Sequence, residues 1–382
     1  MTLIDFPAPS AGSQFDDLRR EVRDFLAREM ADHTPQMRAR SWNGYDRDFS
    51  RKIAEMGWVG MTLPKEYGGH GRSPLERYVV MEEMLAAGAP VAAHWIADRQ
   101  SAPLILAKGT EAQKRQILPR IAAGTCSFCI GMSEPDSGSD LAATRTTATP
   151  ENGGFRVNGT KLWTTYAHEA DYMILFCRTG KSEDRHGGMS QFLVDLKHTD
   201  GITINPVIDM AGEHHFNEVI FDNVLLDGDA LVGTMGGGWD QVMSELAFER
   251  SGPERFLSSF ALIEQMIVLV RQNPTEQQEI EIGRLAAHLM VLRRMSRSVA
   301  GLLDRGENPL LQATIVKDLG AIYEQDVPRL ARSLLSGPAR PGSRDSYNAV
   351  LAQTVLSVPS FSLRGGTREI LRGIIARGLG LR

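Results

Sequence analysis

Residues 126–166, CSFCIGMSEPDSGSDLAATRTTATPENGGFRVNGTKLWTTY, constrain the fold more than any other stretch of the chain. An apolar run of strand type, Cys126 to Met132, stops at Ser133-Glu134-Pro135 and gives way to the small-residue turn Asp136-Ser137-Gly138-Ser139-Asp140. Proline and glycine punctuate the chain there. After Thr144-Arg145-Thr146-Thr147-Ala148 comes a turn at Glu151-Asn152-Gly153-Gly154, and Phe155 to Thr165 reads as a hairpin from its Gly-Gly and Asn-Gly turns and its β-branched alternation. The stretch predicts a small β unit with hydroxyls and a tryptophan at its strand ends. Backbone N–H groups and Ser/Thr hydroxyls can hydrogen-bond the nitrogens and carbonyls of a flat polar ring, and an indole adds a stacking face. The competing reading of the same residues is a plain sheet core, with Trp163 packed inside and the polar loop outside.

The periodicity on either side is helical. Phe15, Leu18, Val22, Phe25 and Leu26 recur at helical spacing and predict a first amphipathic helix. Ser73-Pro74 opens a second, carrying Leu75, Tyr78, Val79 and Met81-Glu82-Glu83-Met84 to Gly88 and continuing through 89–107. Thr110 and Gln113 form a capping box ahead of Ile117, Leu118 and Ile121. After Trp163, apolar segments at Tyr172–Cys177, Gln191–Asp195, Ile202–Ile204 and Glu218–Phe221, parted by Gly, Asp and Asn, predict short strands up to about Gly233. Three helical segments follow, 239–271, 276–304 and 309–335, with a last one from about Asp345. The expected fold class is α+β and multi-domain: an N-terminal all-α domain over 1–125, a middle antiparallel β domain over 126–235 and a C-terminal helical bundle over 236–382.

With 382 residues the chain is long enough for two or three cores. A net charge of −5 argues against nucleic acid or an anionic membrane surface as partner. The N-terminal MTLIDFPAPSAGS has neither a basic nor an apolar signal region, and no run approaches the ~18 apolar residues that span a bilayer. The expectation is a cytoplasmic protein with no membrane insertion. Its three cysteines, Cys126, Cys129 and Cys177, are expected as buried free thiols, since Cys126-x-x-Cys129 lies inside an apolar run with no second pair to complete a zinc site. His214 and His215, read as neighbours on a strand, point to opposite faces and do not share one metal ion. Gly236-Gly237-Gly238 precede a helix, but no G-x-G-x-x-G or G-K-[ST] pattern is present, which speaks against a Rossmann or P-loop nucleotide fold.

Taken in order, Ser133-Glu134-Pro135, then Gly138-Ser139-Asp140-Leu141, then Asn158-Gly159-x-Lys161-x-Trp163-Thr164-Thr165 resemble the flavin-binding β domain of the acyl-CoA dehydrogenase family, FAD enzymes that desaturate acyl-CoA thioesters. The resemblance runs from about residue 15 to the C-terminus. It implies FAD as cofactor, an acyl-CoA substrate, an electron-transfer flavoprotein as electron acceptor, and a dimer or tetramer. Such a reaction needs a base for the α-proton, an acceptor for the β-hydride and a stabiliser for the enolate-like oxygen. No side chain accepts hydride, so a cofactor must.

Family members carry the base as a glutamate in one of two places. The commoner is a Tyr-Glu-Gly-Thr tetrapeptide near the C-terminus, which reads Arg364-Gly365-Gly366-Thr367 here, so Gly365 stands where the carboxylate would be. The other lies just before an arginine on the long helix after the β domain, where this chain has Glu249-Arg250. The resemblance therefore implies Glu249 as the base and Arg250 as a residue facing the active site or CoA. It implies further that Met132, Ser133, Trp163 and Thr165 contact the flavin and that Ser139 touches the CoA arm. Thr367 and Glu369 match positions that hold the dinucleotide, Thr367 near the phosphates at a helix start. The competing readings are a solvated helix charge for Glu249 and simple helix capping for Thr367 and Glu369.

Two family segments that bind the adenine half of FAD across subunits are missing. Arg271 is followed by Gln-Asn-Pro-Thr in place of x-x-Phe-Gly, and Gln353-Thr354-Val355-Leu356-Ser357 lacks the glycines of Gln-x-x-Gly-Gly-x-Gly. FAD is then gripped mainly by its flavin half in this chain, with the rest supplied by an unlike acyl-CoA dehydrogenase subunit. An FAD-dependent oxidase or monooxygenase on the same scaffold, and a half-site partner in a mixed assembly, are the alternatives.

Overall fold

The computed structural model describes residues 4–8, 12–335 and 337–381, and the side chains of all of these except residues 12, 13 and 245–249. In chain order it comprises α1 (Asp16–Glu29), α2 (Pro35–Arg38), α3 (Arg47–Glu55), α4 (Pro74–Ala87), α5 (Ala92–Ile96), α6 (Ala102–Lys108) and α7 (Glu111–Ala122). The strands follow: β1 (Phe128–Gly131), β2 (Thr147–Glu151), β3 (Gly154–Thr165), β4 (Tyr172–Arg178), β5 (Met189–Asp195), β6 (Ile202–Val207), β7 (Phe216–Leu226) and β8 (Leu231–Val232). Last come α8 (Gly238–Arg250), α9 (Phe260–Gln272), α10 (Glu276–Asp304), α11 (Leu310–Ser333), α12 (Ser346–Phe361) and α13 (Arg368–Gly378). This helical, then β, then helical order is the expected fold class.

Packing divides the chain into two compact units, one made of Met1–Tyr45, Arg72–Val91 and Ala247–Arg382 and the other of Asp46–Gly71 and Ala92–Leu246. In the second unit the strands form one sheet in the order β6-β7-β3-β2-β4-β5-β8, antiparallel except where β1 and the start of β2 run parallel to β4. β4 is an interior strand, buried along its length, because every residue from Tyr172 to Cys177 is apolar and the side chains alternate between faces. Met173, Leu175 and Cys177 enter one core with Val157, Phe192 and Val219, while Tyr172 and Ile174 enter another with Ile117, Leu118 and Ile121 of α7. The Thr110–Gln113 capping box forms as expected, and the Gln113 amide also donates to the Asp229 and Leu231 carbonyls, tying the start of α7 to β8.

In the first unit α1 and α10 both pack on α4. Glu82 of α4 accepts from Arg19 of α1 at 2.8 Å and from both Nε and Nη2 of Arg293 of α10, at 2.6 and 2.9 Å. Phe15, Leu75, Tyr78, Val79 and Ala300 form the apolar contact around it.

Local geometry departs from expectation in three places. The segment 239–271 is two helices, because Pro253 lacks the N–H that would continue α8 and holds Gly252 extended, at φ −69° and ψ 163°. The helix from Ser73 ends at Gly88, which adopts φ +71°, and 89–107 resumes as separate short helices. Asn158-Gly159 is no turn: β3 runs unbroken past it, with a register shift against β7 between Val157 and Gly159. A Cβ on Gly159, at φ +145°, would lie 2.6 Å from the Thr146 Cα, which is why glycine occupies the bulge.

Candidate active site

β3 sets the site in the second unit. Its inward side chains are Phe155, Val157 and Lys161, and strict alternation would bury Trp163 with them. A second register shift against β7, between Lys161 and Thr164, reverses the order: Thr164 is buried and the Trp163 indole stands 56% exposed, edge-on to Phe216 at 5.8 Å. Trp163 adopts φ +60°, a left-handed conformation that bulky residues avoid at a cost of roughly 1–2 kcal/mol. Bulges that re-aim a side chain gather at functional sites. Thr165, two residues on, is back in register opposite Phe216.

Met132 and Ser133 are brought to the same strand by a buried ion pair. Lys161, wholly buried, donates to the Met132 carbonyl at 3.0 Å, to Thr144 Oγ1 at 3.1 Å and to Glu134 Oε1 at 2.8 Å, while the Leu162 N–H donates to the Ser133 carbonyl at 2.8 Å. Glu134 accepts further from the Thr144 hydroxyl and from the Arg145 and Thr146 N–H groups, at 2.7 and 2.9 Å for the latter two. Burial raises its pKa, but Lys161 and these donors outweigh it and hold the carboxyl at about 2. Burial lowers the Lys161 pKa against the pull of Glu134. The Met132 side chain packs with Leu141, Phe176, Met189 and Trp239. Ser139 lies exposed on the 136–140 turn, which Ser137 Oγ ties to the Asp140 carbonyl at 2.8 Å.

Neither Lys161 nor Glu134 stands out as a functional residue in sequence, though both fall inside the quoted motifs. The signal for Lys161 is a lysine at an inward position of an apolar strand. Asn217 carried no such signal. It is fully buried, donates Nδ2 to the Thr164 carbonyl at 3.0 Å, and so presents Oδ1 as acceptor to His168 Nδ1 at 3.1 Å and His214 Nε2 at 2.8 Å. Those two imidazoles stack at 3.8 Å. His214 and His215 lie in the loop before β7, not on a strand, and diverge there: His215 pairs with Tyr166 Oη at 2.8 Å and Glu213 Oε2 at 2.7 Å. Among the described residues no cluster of His, Cys, Asp and Glu could hold a metal ion. Burial pushes the Cys126 and Cys177 thiols up to about 12, so neither is a thiolate at neutral pH.

In the first unit the last residue of α8, Arg250, is 3% exposed and donates Nε to the Gly365 carbonyl at 3.2 Å. Glu249 lies outside the described side chains. Thr367 is the N-cap residue of α13 by its backbone, φ −68° and ψ 158°, yet its side chain makes no capping bond. Its hydroxyl instead serves the exposed Glu369, whose carboxyl falls below its usual range through a backbone N–H and that hydroxyl. Simple capping by the Thr367 side chain is thus not what the structure has. The two segments lacking the adenine-side motifs take other roles: Thr275 and Gln278 form a capping box that starts α10, and 353–357 lies within α12.

A flavin fits the second unit's residues. The indole is already turned outward, and Thr164 Oγ1 is buried with no hydrogen-bond partner among the described residues. Comparison with known proteins agrees. The models of the acyl-CoA dehydrogenase N-terminal, middle and C-terminal domains match residues 13–125, 129–224 and 236–380. The acyl-CoA dehydrogenase IpdE1 of Mycobacterium tuberculosis is 31% identical, over 96% of this chain and 97% of the relative. The solved structure of the Tcur3481-Tcur3483 steroid ACAD superposes with a TM-score of 0.88 at 27% identity, covering 99% of this chain and 100% of that one. The ChsE4-ChsE5 complex from Mycobacterium tuberculosis gives 0.81 at 31% identity, over 98% and 99%. The family uses FAD and acts as oxidoreductases on acyl-CoA. Matches in all three domains, together spanning nearly the whole chain, establish that this protein belongs to the acyl-CoA dehydrogenase family.

Proposed function

We propose that this protein dehydrogenates an acyl-CoA thioester to the trans-2-enoyl-CoA, with Glu249 taking the α-proton, and that its electrons pass to an electron-transfer flavoprotein. The bound flavin supplies the acceptor for the β-hydride. One observation carries the assignment of the base. The 364–367 segment has no carboxylate, and the carbonyl of Gly365 is instead the acceptor for Arg250, the residue directly after Glu249. A glutamate in a dry, apolar setting has the raised pKa that proton abstraction near neutral pH requires. Met132, Ser133, Trp163 and Thr165 would hold the flavin, Ser139 and Arg250 the CoA ester, and Thr367 with Glu369 the dinucleotide.

The steroid ACAD and ChsE4-ChsE5 structures support two refinements. Steroid-derived CoA esters are the first substrate class to test. An unlike acyl-CoA dehydrogenase subunit is the partner expected to complete the adenine side of the FAD site, since 271–275 and 353–357 form a helix link and a helix here.

The deciding experiment expresses the chain alone and with such a partner, then follows flavin bleaching by a panel of acyl-CoA esters under argon. Glu249→Gln keeps its FAD spectrum and loses turnover by at least about 10²-fold. Near-normal turnover in that variant moves the base elsewhere. Steady oxygen consumption by the reduced flavin makes the protein an oxidase.

A further inference from the structure

Arg250 and Arg364 each donate to a backbone carbonyl close in sequence to the other. Arg250 Nε donates to the Gly365 carbonyl at 3.2 Å, one residue after Arg364, and Arg364 Nη2 donates to the Glu254 carbonyl at 2.7 Å, four residues after Arg250. Arg364 is itself fixed. Its guanidinium lies 4.3 Å from the Trp42 ring centre and 4.4 Å from that of Phe361, and Nη2 reaches Glu324 Oε2 at 3.1 Å. Glu324 is 1% exposed and also accepts the Ser258 N–H at 3.0 Å. A planar guanidinium packed against two rings and bonded to a buried carboxylate has little freedom left.

The two glycines between Arg364 and Thr367 suit these bonds. Gly365 and Gly366 adopt φ +68° and +97°, and a Cβ on Gly366 would stand 3.3 Å from Arg250 Nη2. A side chain there is strained by its backbone and would also push on the Arg250 guanidinium.

We propose that Arg364 and Gly366 are positioning residues: they orient the Arg250 guanidinium and with it the end of α8 that carries Glu249. The role rests on the proposed reading of Glu249-Arg250 as the catalytic end of that helix. In this arrangement the 364–367 segment, which carries no acid, steers the arginine beside the acid on α8.

The test has one readout independent of activity. The Nε–H of Arg250, assigned in ¹⁵N-arginine NMR spectra by its loss in Arg250→Lys, exchanges with water at least about 10-fold more slowly than those of exposed arginines, because it is hydrogen-bonded and buried. Gly366→Ala removes that protection while FAD content stays at the wild-type level. The second readout is a double-mutant cycle on kcat with the best CoA ester. Gly366→Ala and Arg250→Lys each lower kcat by about 10-fold or more, and the double variant falls little further, because both act through one guanidinium. Arg364→Lys is milder than Arg364→Met, since it keeps the charge beside Glu324. Fast exchange of Arg250 Nε–H in the wild type, or additive losses in the cycle, overturns the proposal. A wild-type protein that binds FAD but bleaches with no CoA ester defeats the functional reading instead, and the exchange measurement still decides the Arg250 bond.

Discussion

Lys161 and Glu134 form an ion pair of 2.8 Å in which the lysine is wholly buried and the glutamate side chain only 6% exposed. The pair spans two pieces of chain, β3 and the segment after β1, and the same strand holds the Met132 carbonyl through Lys161 and the Ser133 carbonyl through the Leu162 N–H. Removing one member leaves the other charge buried without its counterion, which costs more than the intact pair contributes. Lys161→Met is expected to lower the unfolding free energy by about 3–5 kcal/mol and to weaken FAD retention, whereas adding Glu134→Leu recovers much of that stability. Urea unfolding of the two variants checks it.

The same pair gives the protein an acid limit. The Glu134 carboxyl falls from its usual 4.5 to about 2 in the folded state. A depressed folded pKa contributes stability above the unfolded value, and that contribution is lost as pH falls through the window from about 4.5 to about 2. Integrated over the shift, it amounts to at most about 3 kcal/mol. Unfolding free energy measured down to pH 3 should decline faster in the wild type than in Glu134→Gln.

Trp163 separates stability from binding. Its indole is more than half exposed and its φ is positive, so Trp163→Gly removes little packing and relieves backbone strain. The expected melting temperature lies within about 4 °C of wild type. FAD affinity falls by about 3- to 10-fold, the worth of one aromatic stack of ~1 kcal/mol. Differential scanning and flavin release by ultrafiltration measure the two quantities. A large fall in melting temperature with unchanged FAD affinity would mark Trp163 as a packing residue.

Asn217 fixes histidine tautomers that titration can read. Because its Oδ1 accepts from both rings, His168 carries its proton on Nδ1 and His214 on Nε2. Burial, and then the imidazole of His214, depress the His168 pKa below the usual 6.5. Stability from this group is present above pH 6.5 and is lost as pH falls through the lower folded value. Asn217→Asp keeps an acceptor and adds a negative charge, so the His168 midpoint in an imidazole proton NMR titration should move up. Asn217→Ala leaves the Thr164 carbonyl and both rings without their partner, at a cost of about 1–3 kcal/mol.

Glu82 of α4 takes the two-pronged fork of Arg293 as well as Arg19. Arg293→Lys retains the charge and loses the fork, so it is expected to cost ~1 kcal/mol. Glu82→Leu removes the acceptor of the fork altogether but leaves Arg19 its pair with Glu83, so it is expected to cost more than Arg293→Lys, roughly 2 kcal/mol. Chemical denaturation of the two variants ranks them.

Elements with strong periodicity or explicit end signals were legible in the sequence. α1, α4 and α7 start where Phe15, Ser73 and Thr110 indicate, and β4 follows from six consecutive apolar residues. Bulges were not legible, because an extra residue in one strand leaves alternation locally unchanged and shows only in the partner's register. Asn158-Gly159 therefore reads as a turn, and Trp163, taken alone, reads as core sooner than as stacking face. The Arg250–Gly365 and Arg364–Glu254 bonds join residues more than a hundred positions apart, at separations of 115 and 110, and no local pattern announces such pairs.

The first unit draws on both ends of the polypeptide. α1 and α4 emerge early during synthesis, yet α10, against which α4 buries Leu75, Tyr78 and Val79, leaves the ribosome some two hundred residues later. Until then those apolar faces have α1 alone as a partner, whereas the sheet and its covering helices can already close on themselves. Nascent chains of this architecture thus pass through a stage with one finished half and one waiting half, and a stop codon ahead of α10 deprives α4 of that contact although α4 itself is complete.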